Sequence, residues 1–241
     1  MRAYARTHVG KTRKTNEDAY YQPVAGEYFA AVADGMGGHL AGEVASWMAI
    51  NTFAAALRGR EATVGALQEA LMQANSEVYR EARRDSAHKM GMGTTFTALS
   101  IKGGHVRVAH VGDSRAYLFR GKALMQMTTD HTLVEEMVRN GTLTPEQART
   151  HPKRNIVMRA IGTNEHVEID AFLFEDEPGD EWLLCSDGLS NYVSDFALAR
   201  IMSGPGTYEQ RVEKMIDAAL EGGGGDNITC MIVTGEERDG A

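Results

Sequence analysis

The chain has 241 residues, a composition ordinary for a globular protein and a formal net charge of −8. This length allows a sizeable core, and it favours a single domain over residues 1–241. The acidic balance argues against nonspecific binding to nucleic acid or to an anionic membrane, since both need clustered lysine and arginine.

The sequence shows no targeting or membrane signal. Its first residues lack the apolar run of a signal peptide, and no stretch approaches the roughly 20 apolar residues of a membrane span. We therefore expect a cytoplasmic protein with no membrane partner, and a monomer. Cys185 and Cys230 lie in apolar runs without the spacing of a zinc site, so we expect buried, reduced thiols.

The first half of the chain predicts strands, then two helices, then more strands. Two helices are indicated because apolar residues recur at helical spacing over 40–48 and 64–78. Trp47 in the first helix, like Trp182 in a later strand, is expected to anchor the packing. The strands predicted in this half are 4–9, 19–23, 28–33, 94–101, 105–111, 115–119 and 123–127.

Residues 130–162 differ in character from the rest of the chain. Short helical patterns around 133–139 and 145–149 lie among Gly141, Pro152 and several basic residues. We interpret this stretch as a small flap subdomain at the surface. The elements predicted after it are strands 167–174, 181–185 and 227–233 and helices 196–202 and 208–220.

The order of these elements indicates the fold class. Strands come in antiparallel-looking blocks with helix pairs between them, which favours an α+β fold of two packed sheets with helices outside. The nearly continuous apolar strands at 29–33 and 182–185 agree with sheets that are covered on both faces.

Several acidic residues lie just beyond an apolar strand, beside a glycine or a polar turn. A sheet holds such a carboxylate rigidly, and the glycine lets the backbone approach closely and offer its carbonyl oxygen. Converging carboxylates repel one another, and hard cations such as Mg²⁺ or Mn²⁺ remove that repulsion. A lone Asp-Gly is common in turns, and spacing alone does not show convergence, so both interpretations stay open here. The residues with this pattern are Asp34, Asp113, Asp187 and Asp226, and Glu17 and Asp18 stand between two early strands.

Six motifs in order carry a resemblance to a known family. Residues 13–18 (RKTNED) resemble the RxxNED motif of the PP2C-type (PPM) phosphatases, and 34–39 (DGMGGH) resemble the bacterial form of their second motif. The further matches are 91–95 (GMGTT), 111–115 (VGDSR), 186–189 (SDGL) and 225–229 (GDNIT). Because the match runs from about Thr7 to Val233, the chain resembles a bacterial metal-dependent protein serine/threonine phosphatase of this family.

The resemblance implies a fold and a metal centre. The fold is the family's αββα sandwich, in which two antiparallel sheets are flanked by helix pairs. The centre holds two Mn²⁺ or Mg²⁺ ions, with a weaker third. Asp34 would bridge the two ions, with the carbonyl of Gly35 on one of them. Asp187 and Asp226 would complete the other, and Asp113 would help to hold the third together with Asp187.

Further roles follow from the same resemblance. Glu17 would bind a metal directly or through water, and Asp18 would hold metal-bound waters from behind the metal ligands or bind directly in some states. Arg13 would grip the phosphate of the substrate with its planar guanidinium. The implied reaction is hydrolysis of phosphoserine and phosphothreonine by a metal-activated water that attacks phosphorus in line, without a phosphoenzyme.

The proton donor to the leaving group stays open. Animal members of the family carry a histidine directly after the Asp-Gly, where this chain has Met36, as bacterial members do. Methionine cannot donate a proton. His39, three residues on, is one candidate for the acid, and a metal-bound water near Asp113 is the preferred one.

The implied partners are phosphorylated proteins, including a cognate serine/threonine kinase and its substrates. A noncatalytic phosphoprotein-binding regulator on the same fold and a hydrolase of small phosphate esters are the alternatives. Lys153 and Arg154 in the flap are either solvated or attract phosphopeptides. Asn227 is expected to orient Asp226 or cap its turn, and Arg115 to shape the turn around Asp113.

Overall fold

The computed structural model describes residues 1–37, 41–84 and 91–235 of the chain. Within these ranges the polypeptide forms two antiparallel sheets with helices packed on them. The strands are β1 (Arg2–His8), β2 (Asp18–Tyr21), β3 (Phe29–Met36), β4 (Gly93–Thr94), β5 (Phe96–Lys102), β6 (His105–Val111), β7 (Arg115–Arg120), β8 (Ala123–Gln126), β9 (Asp170–Glu175), β10 (Glu181–Cys185) and β11 (Ile228–Thr234). The helices are α1 (Ala41–Leu57), α2 (Val64–Arg84), α3 (Leu133–Arg139), α4 (Pro145–Thr150), α5 (Asp187–Ser190), α6 (Asp195–Met202) and α7 (Tyr208–Glu221).

The order of the strands brings distant parts of the chain together. The first sheet has the order β1-β11-β10-β7-β8, and the second has the order β2-β3-β5-β6-β9, with β4 paired to the end of β3. Because β1 and β11 are antiparallel, His8 at the end of β1 lies opposite Ile228 at the start of β11. The segment that follows β1 therefore meets the segment that precedes β11.

The alternation along β3 shows that its sheet is covered on both faces. Phe29, Ala31 and Ala33 belong to the core shared with α1 and α2, whereas Ala30 and Val32 belong to the core between the two sheets. Successive side chains of a strand point to opposite faces, so a strand covered on both sides is apolar throughout. A third core lies between the first sheet and helices α5, α6 and α7. The predicted α+β fold, an αββα sandwich, is confirmed.

Helix periodicity and capping agree with the sequence. Along α2, Leu67, Leu71 and Val78 are buried, as an amphipathic helix requires. At the start of α7, Thr207 accepts from the N–H of Gln210, whose side chain accepts in return from the N–H of Thr207. This capping box fixes the point at which α7 begins.

The two tryptophans have different environments. Trp182 is fully buried between the sheets, but Trp47 on α1 is 63% exposed, so the prediction that both anchor the packing is wrong for Trp47. Helix α1 packs its small residues, such as Ala45 and Ala49, against the sheet and leaves Trp47 on the solvent side. Cys185 and Cys230 are cross-strand neighbours that are buried and free, as predicted.

The stretch 130–162, called the flap below, contains α3 and α4. Its two ends meet where Thr132 bridges Val157 and the N–H of Leu133 donates to the carbonyl of Ile156 at 2.9 Å. That residues 1–241 form one domain with the flap as a subdomain stays a prediction. Among the described residues, every helix is too short or too polar to span a bilayer.

Candidate active site

Four aspartates at strand ends open into one cavity. Asp34 lies near the end of β3, Asp113 follows β6, Asp187 follows β10, and Asp226 precedes β11. All four line a cavity of about 230 Å³. The fold thus produces the convergence that sequence spacing could not show.

The other predicted site residues are placed around this group. Arg13, Glu17 and Gly35 line the same cavity. Asp18 reaches the group from β2, where it is the cross-strand neighbour of Asp34. His39 lies outside the described residues.

Asp18 is held between the sheets by the hydroxyl of Ser186. Ser186 Oγ accepts from the N–H of Thr229 at 3.0 Å and donates to Oδ2 of Asp18 at 2.8 Å. Because the amide proton occupies the acceptor side of the hydroxyl, the hydroxyl proton points to Asp18. Burial raises the pKa of Asp18 to about 7, although this hydrogen bond opposes the shift.

The carboxylates raise one another's pKa values. The pKa of Asp34 lies well above its ordinary range because the group is buried and feels the charges of Asp18 and Asp187. Burial, and then the charge of Asp226, raises the pKa of Asp187 to about 6. Burial, and then the charge of Asp187, likewise raises the pKa of Asp113. A nearby positive charge would favour the ionised form of every one of these groups.

Within this cluster of aspartates, two buried carboxylate oxygens have no hydrogen-bond partner among the described residues, namely Oδ1 of Asp18 and Oδ1 of Asp187. The other oxygen of Asp187 accepts from Nδ2 of Asn191 at 2.9 Å. Buried polar atoms are normally paired, so these two oxygens are available to a cation. The donor set consists of oxygen, which suits Mg²⁺ and Mn²⁺.

The side chain of Arg13 lies at the rim of the cavity and contacts Asp226. Its Nε and Nη2 atoms contact the two carboxylate oxygens of Asp226, each at 2.9 Å. The hydrogen bond to Asp226 raises the pKa of Arg13. Half of the Arg13 side chain is exposed, and a guanidinium carries five N–H donors. It therefore has donors left for a second anionic group.

The carboxylates do not form a closed cage. Within the described ranges, no group of three or more histidine, cysteine, aspartate or glutamate side chains is arranged as a ready ligand set. Asp226 is turned toward Arg13, and one oxygen of Asp187 is turned toward Asn191. Mg²⁺ usually binds through one or two carboxylates and keeps several waters. The open arrangement and the two unpartnered oxygens therefore fit hydrated divalent cations.

Position 35 requires glycine because three segments meet there. A β-carbon on Gly35 would lie 2.1 Å from the carbonyl oxygen of Gly42 and 2.5 Å from that of Glu17. The N–H of Gly35 donates to the carbonyl of Glu17 at 3.1 Å. The missing side chain allows this close approach and places the Gly35 backbone on the cavity wall.

Three residues that hold the carboxylates were not predicted from the sequence. Thr95 Oγ1 accepts from the N–H of Asp34 at 3.0 Å, and the N–H of Thr95 donates to the carbonyl of Asp34 at 2.9 Å. Ser186 and Asn191 donate to Asp18 and Asp187 as described above. Thr95 and Ser186 stand inside recognised motifs. The available signal for Asn191 was its position four residues after Asp187, one turn along a helix.

The turn at Asp113 is fixed by its neighbours. Ser114 Oγ shares a hydrogen bond of 2.7 Å with Oγ1 of Thr95, which ties this turn to Asp34. The guanidinium of Arg115 pairs with Asp130 at 2.6 Å, at the start of the flap. Arg115 therefore connects the turn to the flap.

Comparison with known proteins identifies the family. The family model for protein phosphatase 2C matches residues 7–221 of the chain. The chain belongs to the protein phosphatase 2C family. The serine/threonine phosphatase stp of Listeria monocytogenes serotype 4b (strain F2365) is 39% identical to it over 249 aligned positions, covering 99% of this chain and 96% of the relative.

Solved structures support this placement among the protein phosphatases 2C. The crystal structure of the Mycobacterium tuberculosis serine/threonine phosphatase PstP/Ppp has a TM-score of 0.88 and 39% identity, covering 96% of this chain and 97% of that one. The catalytic domain of the serine/threonine protein phosphatase PstP in complex with two manganese ions has a TM-score of 0.86 and 37% identity, with 96% of each chain covered. The predicted family is confirmed.

Proposed function

We propose that this protein is a metal-dependent protein serine/threonine phosphatase that hydrolyses phosphoserine and phosphothreonine in proteins. The observation that carries the proposal is the convergence of four strand-end aspartates in one cavity with Arg13 at its rim. The family and the relatives named as serine/threonine phosphatases confirm the predicted enzyme class.

Asp34, the carbonyl of Gly35, Asp187 and Asp226 are the proposed ligands of two Mn²⁺ or Mg²⁺ ions. The structure of the PstP catalytic domain with two manganese ions supports this number. Such ions supply Lewis-acid charge and lower the pKa of water, so that hydroxide is available near neutral pH. Two finer assignments are also proposals: Asp113 helps Asp187 to hold a weaker third ion, and Glu17 contributes directly or through water.

Arg13 is the proposed phosphate-binding residue. Its guanidinium lies at the rim of the metal cavity and is oriented by the two contacts to Asp226. The planar fork of arginine matches two oxygens of a phosphate at once. Arg13 would thereby orient the phosphoryl group and offset its charge as the ester bond breaks.

The proton for the leaving alkoxide comes from elsewhere than position 36. Met36 lines the cavity, and a thioether has no proton to donate. We propose a water beside Asp113 as the donor, because Asp113 lines the same cavity. His39 stays the other candidate.

A larger cavity of about 510 Å³ extends the site under the flap. It shares Asp113 and Asp187 with the metal cavity, and its walls include Arg149 and Arg154 of the flap and residues 190–195. With a phosphorylated side chain at the metals, this groove has room for the flanking polypeptide. Its size and position support a protein substrate over a small ester.

A phosphopeptide panel measured beside a small phosphate ester, with and without Mn²⁺, tests the proposal. We expect phosphate release from phosphoserine and phosphothreonine peptides only with metal, at a higher kcat/KM than from the small ester. Inactivity with every divalent metal would favour the noncatalytic regulator, although Asp34, Asp187 and Asp226 are all present. A preference for the small ester would favour the third candidate.

The proposed partners are phosphorylated proteins, among them a cognate serine/threonine kinase and its substrates. The relatives named as serine/threonine phosphatases support the phosphoprotein class. The identity of the kinase, a monomeric state and a cytoplasmic location stay predictions.

A further inference from the structure

Arg13 and Glu17 lie on an irregular segment, residues 9–17, that connects β1 to β2. Residues 11–15 of this segment are exposed. Holding an irregular segment in one conformation costs conformational entropy, so contacts from outside the segment have to hold it in place.

Asn227 supplies three of these contacts through its side-chain amide. Nδ2 donates to the carbonyl oxygens of Val9 and Thr15, each at 2.9 Å, and Oδ1 accepts from the N–H of Glu17 at 2.8 Å. The residue is only 4% exposed. Both N–H donors and the carbonyl of the amide are therefore engaged, and they hold both ends of the segment.

The same residue is joined to the rest of the site. Its backbone N–H donates to Oδ1 of Asp226 at 2.8 Å, and Asp226 holds Arg13. The carbonyl of Glu17 in turn accepts from the N–H of Gly35. The backbone N–H of Asn227 thus orients Asp226. The side-chain amide of Asn227 instead holds the segment that carries Arg13.

We propose that Asn227 is a positioning residue that fixes the phosphate-binding segment 9–17 relative to Asp226. The inference rests on the proposed function in one respect, namely that Arg13 binds phosphate. Asn227 acts through Arg13 and Glu17 and not on the reacting atoms. Loss of the Asn227 side chain should therefore release the segment and remove the contribution of Arg13 to phosphate binding.

The chain offers a matched control in Asn75. This residue is 2% exposed, and its Nδ2 donates to the carbonyls of Asn164 and Glu165 at 3.1 and 3.0 Å, while its Oδ1 accepts from the N–H of Gly162 at 2.8 Å. It thus holds a different loop by the same pattern of three hydrogen bonds. Asn75→Ala should disturb the fold about as much as Asn227→Ala without touching segment 9–17.

Hydrogen–deuterium exchange on the full chain tests the structural part. In Asn227→Ala we expect the hydrogen-bonded amides within residues 10–16, those of Gly10 and Lys11, to exchange faster by on the order of tenfold, since exchange reports local opening. Asn75→Ala should leave these amides unchanged. Unchanged exchange over 10–16 in Asn227→Ala would overturn the inference. If Asn227→Ala does not fold, Asn227→Asp keeps the volume and the acceptor for Glu17 and loses both N–H donors.

Binding of inorganic phosphate in the presence of Mn²⁺, measured by calorimetry, tests the coupling to Arg13. Arg13→Ala should weaken phosphate binding by roughly tenfold or more in the natural background, the loss expected for hydrogen bonds to a charged group. In the Asn227→Ala background it should have little further effect, whereas in the Asn75→Ala background the full factor should return. If Arg13→Ala weakened phosphate binding by the same factor in the Asn227→Ala background as in the natural background, the inference would be overturned.

The two measurements separate this inference from the proposed function. The exchange experiment needs no catalysis, so an inactive protein whose segment opens in Asn227→Ala would refute the proposed activity alone. An active phosphatase whose segment does not respond to Asn227→Ala would refute the positioning role alone.

Discussion

The hydroxyl of Ser186 donates to the buried carboxylate of Asp18 and, together with the side chain of Thr229, opposes the effect of burial on its pKa. Ser186→Ala removes this donor, so Asp18 will resist ionisation more strongly. We expect the affinity for Mn²⁺ at pH 7, measured by calorimetry, to fall by about 10- to 100-fold, the usual cost of losing a residue that orients a metal site.

Ser100 provides the control for this substitution. It is as buried as Ser186, and its Oγ has no hydrogen-bond partner within the described part of the chain. Ser100→Ala should therefore leave the affinity for Mn²⁺ unchanged. If Ser186→Ala bound Mn²⁺ as tightly as Ser100→Ala, the hydroxyl of Ser186 would have no part in holding the ions.

Single residues differ in how far the sequence reveals them. The strand-end aspartates were predictable because an aspartate beside a glycine at one end of an apolar strand is a local pattern. The family motifs added the prediction for Arg13. Ser186 and Asn227 act through partners 168 and 210 or more positions away in the chain. Such contacts depend on the order of strands in the sheets, so no local pattern of the sequence indicates them.

At the level of elements, the flap forms one wall of the groove beside the proposed metal site. Arg154 lines this groove, and the neighbouring Lys153 is exposed but lies outside the lining. We expect Arg154→Gln to raise KM for an acidic phosphopeptide about two- to fivefold with little change in kcat, as for an exposed charge pair. Steady-state kinetics with acidic and neutral phosphopeptides measure the effect.

Lys153→Gln removes the same charge one residue away and should leave KM nearly unchanged. Equal effects of the two substitutions would indicate that only the overall charge matters. If neither substitution had an effect, Lys153 and Arg154 would have no part in substrate binding.

The elements themselves were predictable where periodicity was strong. Helix α7 spans Tyr208–Glu221, close to the predicted 208–220. The strand predicted over 167–174 begins only at Asp170, because Val167 and Ile169 pack against the helix-side core ahead of the paired strand. The short helix α5, Asp187–Ser190, was not predicted, since four residues are too few to show a helical period.

At the level of the whole molecule, the sandwich gathers negative charge between its two sheets. Asp18 and Asp34 come from the second sheet, and Asp187 and Asp226 come from the ends of strands in the first. The pairing of β1 with β11 joins segments more than 200 residues apart, which local sequence patterns do not indicate. This arrangement forms the proposed cation site, and we expect it to make the metal-free protein sensitive to pH.

The sign of that sensitivity follows from the raised pKa values. The pKa is about 7 for Asp18 and about 6 for Asp187 in the folded protein, against about 3.9 for an unperturbed aspartate. Between these values the folded state binds more protons than the unfolded state. The contribution of both groups to stability is therefore present at low pH, falls as the pH rises from about 4 to about 7, and is then constant.

We therefore expect the Tm of the metal-free protein, measured in EDTA, to fall as the pH rises from 5 to 7.5, by about 2–4 °C for each kcal/mol lost. Saturating Mn²⁺ should raise the Tm more at pH 7.5 than at pH 5, because cations bind the ionised carboxylates. Asp18→Asn cannot ionise and should flatten the decline, whereas Asp217→Asn, at an exposed position of α7, should not. A Tm that rose through this window in EDTA, or a slope that survived Asp18→Asn in full, would show that the carboxylates between the sheets are not what makes the metal-free fold sensitive to pH.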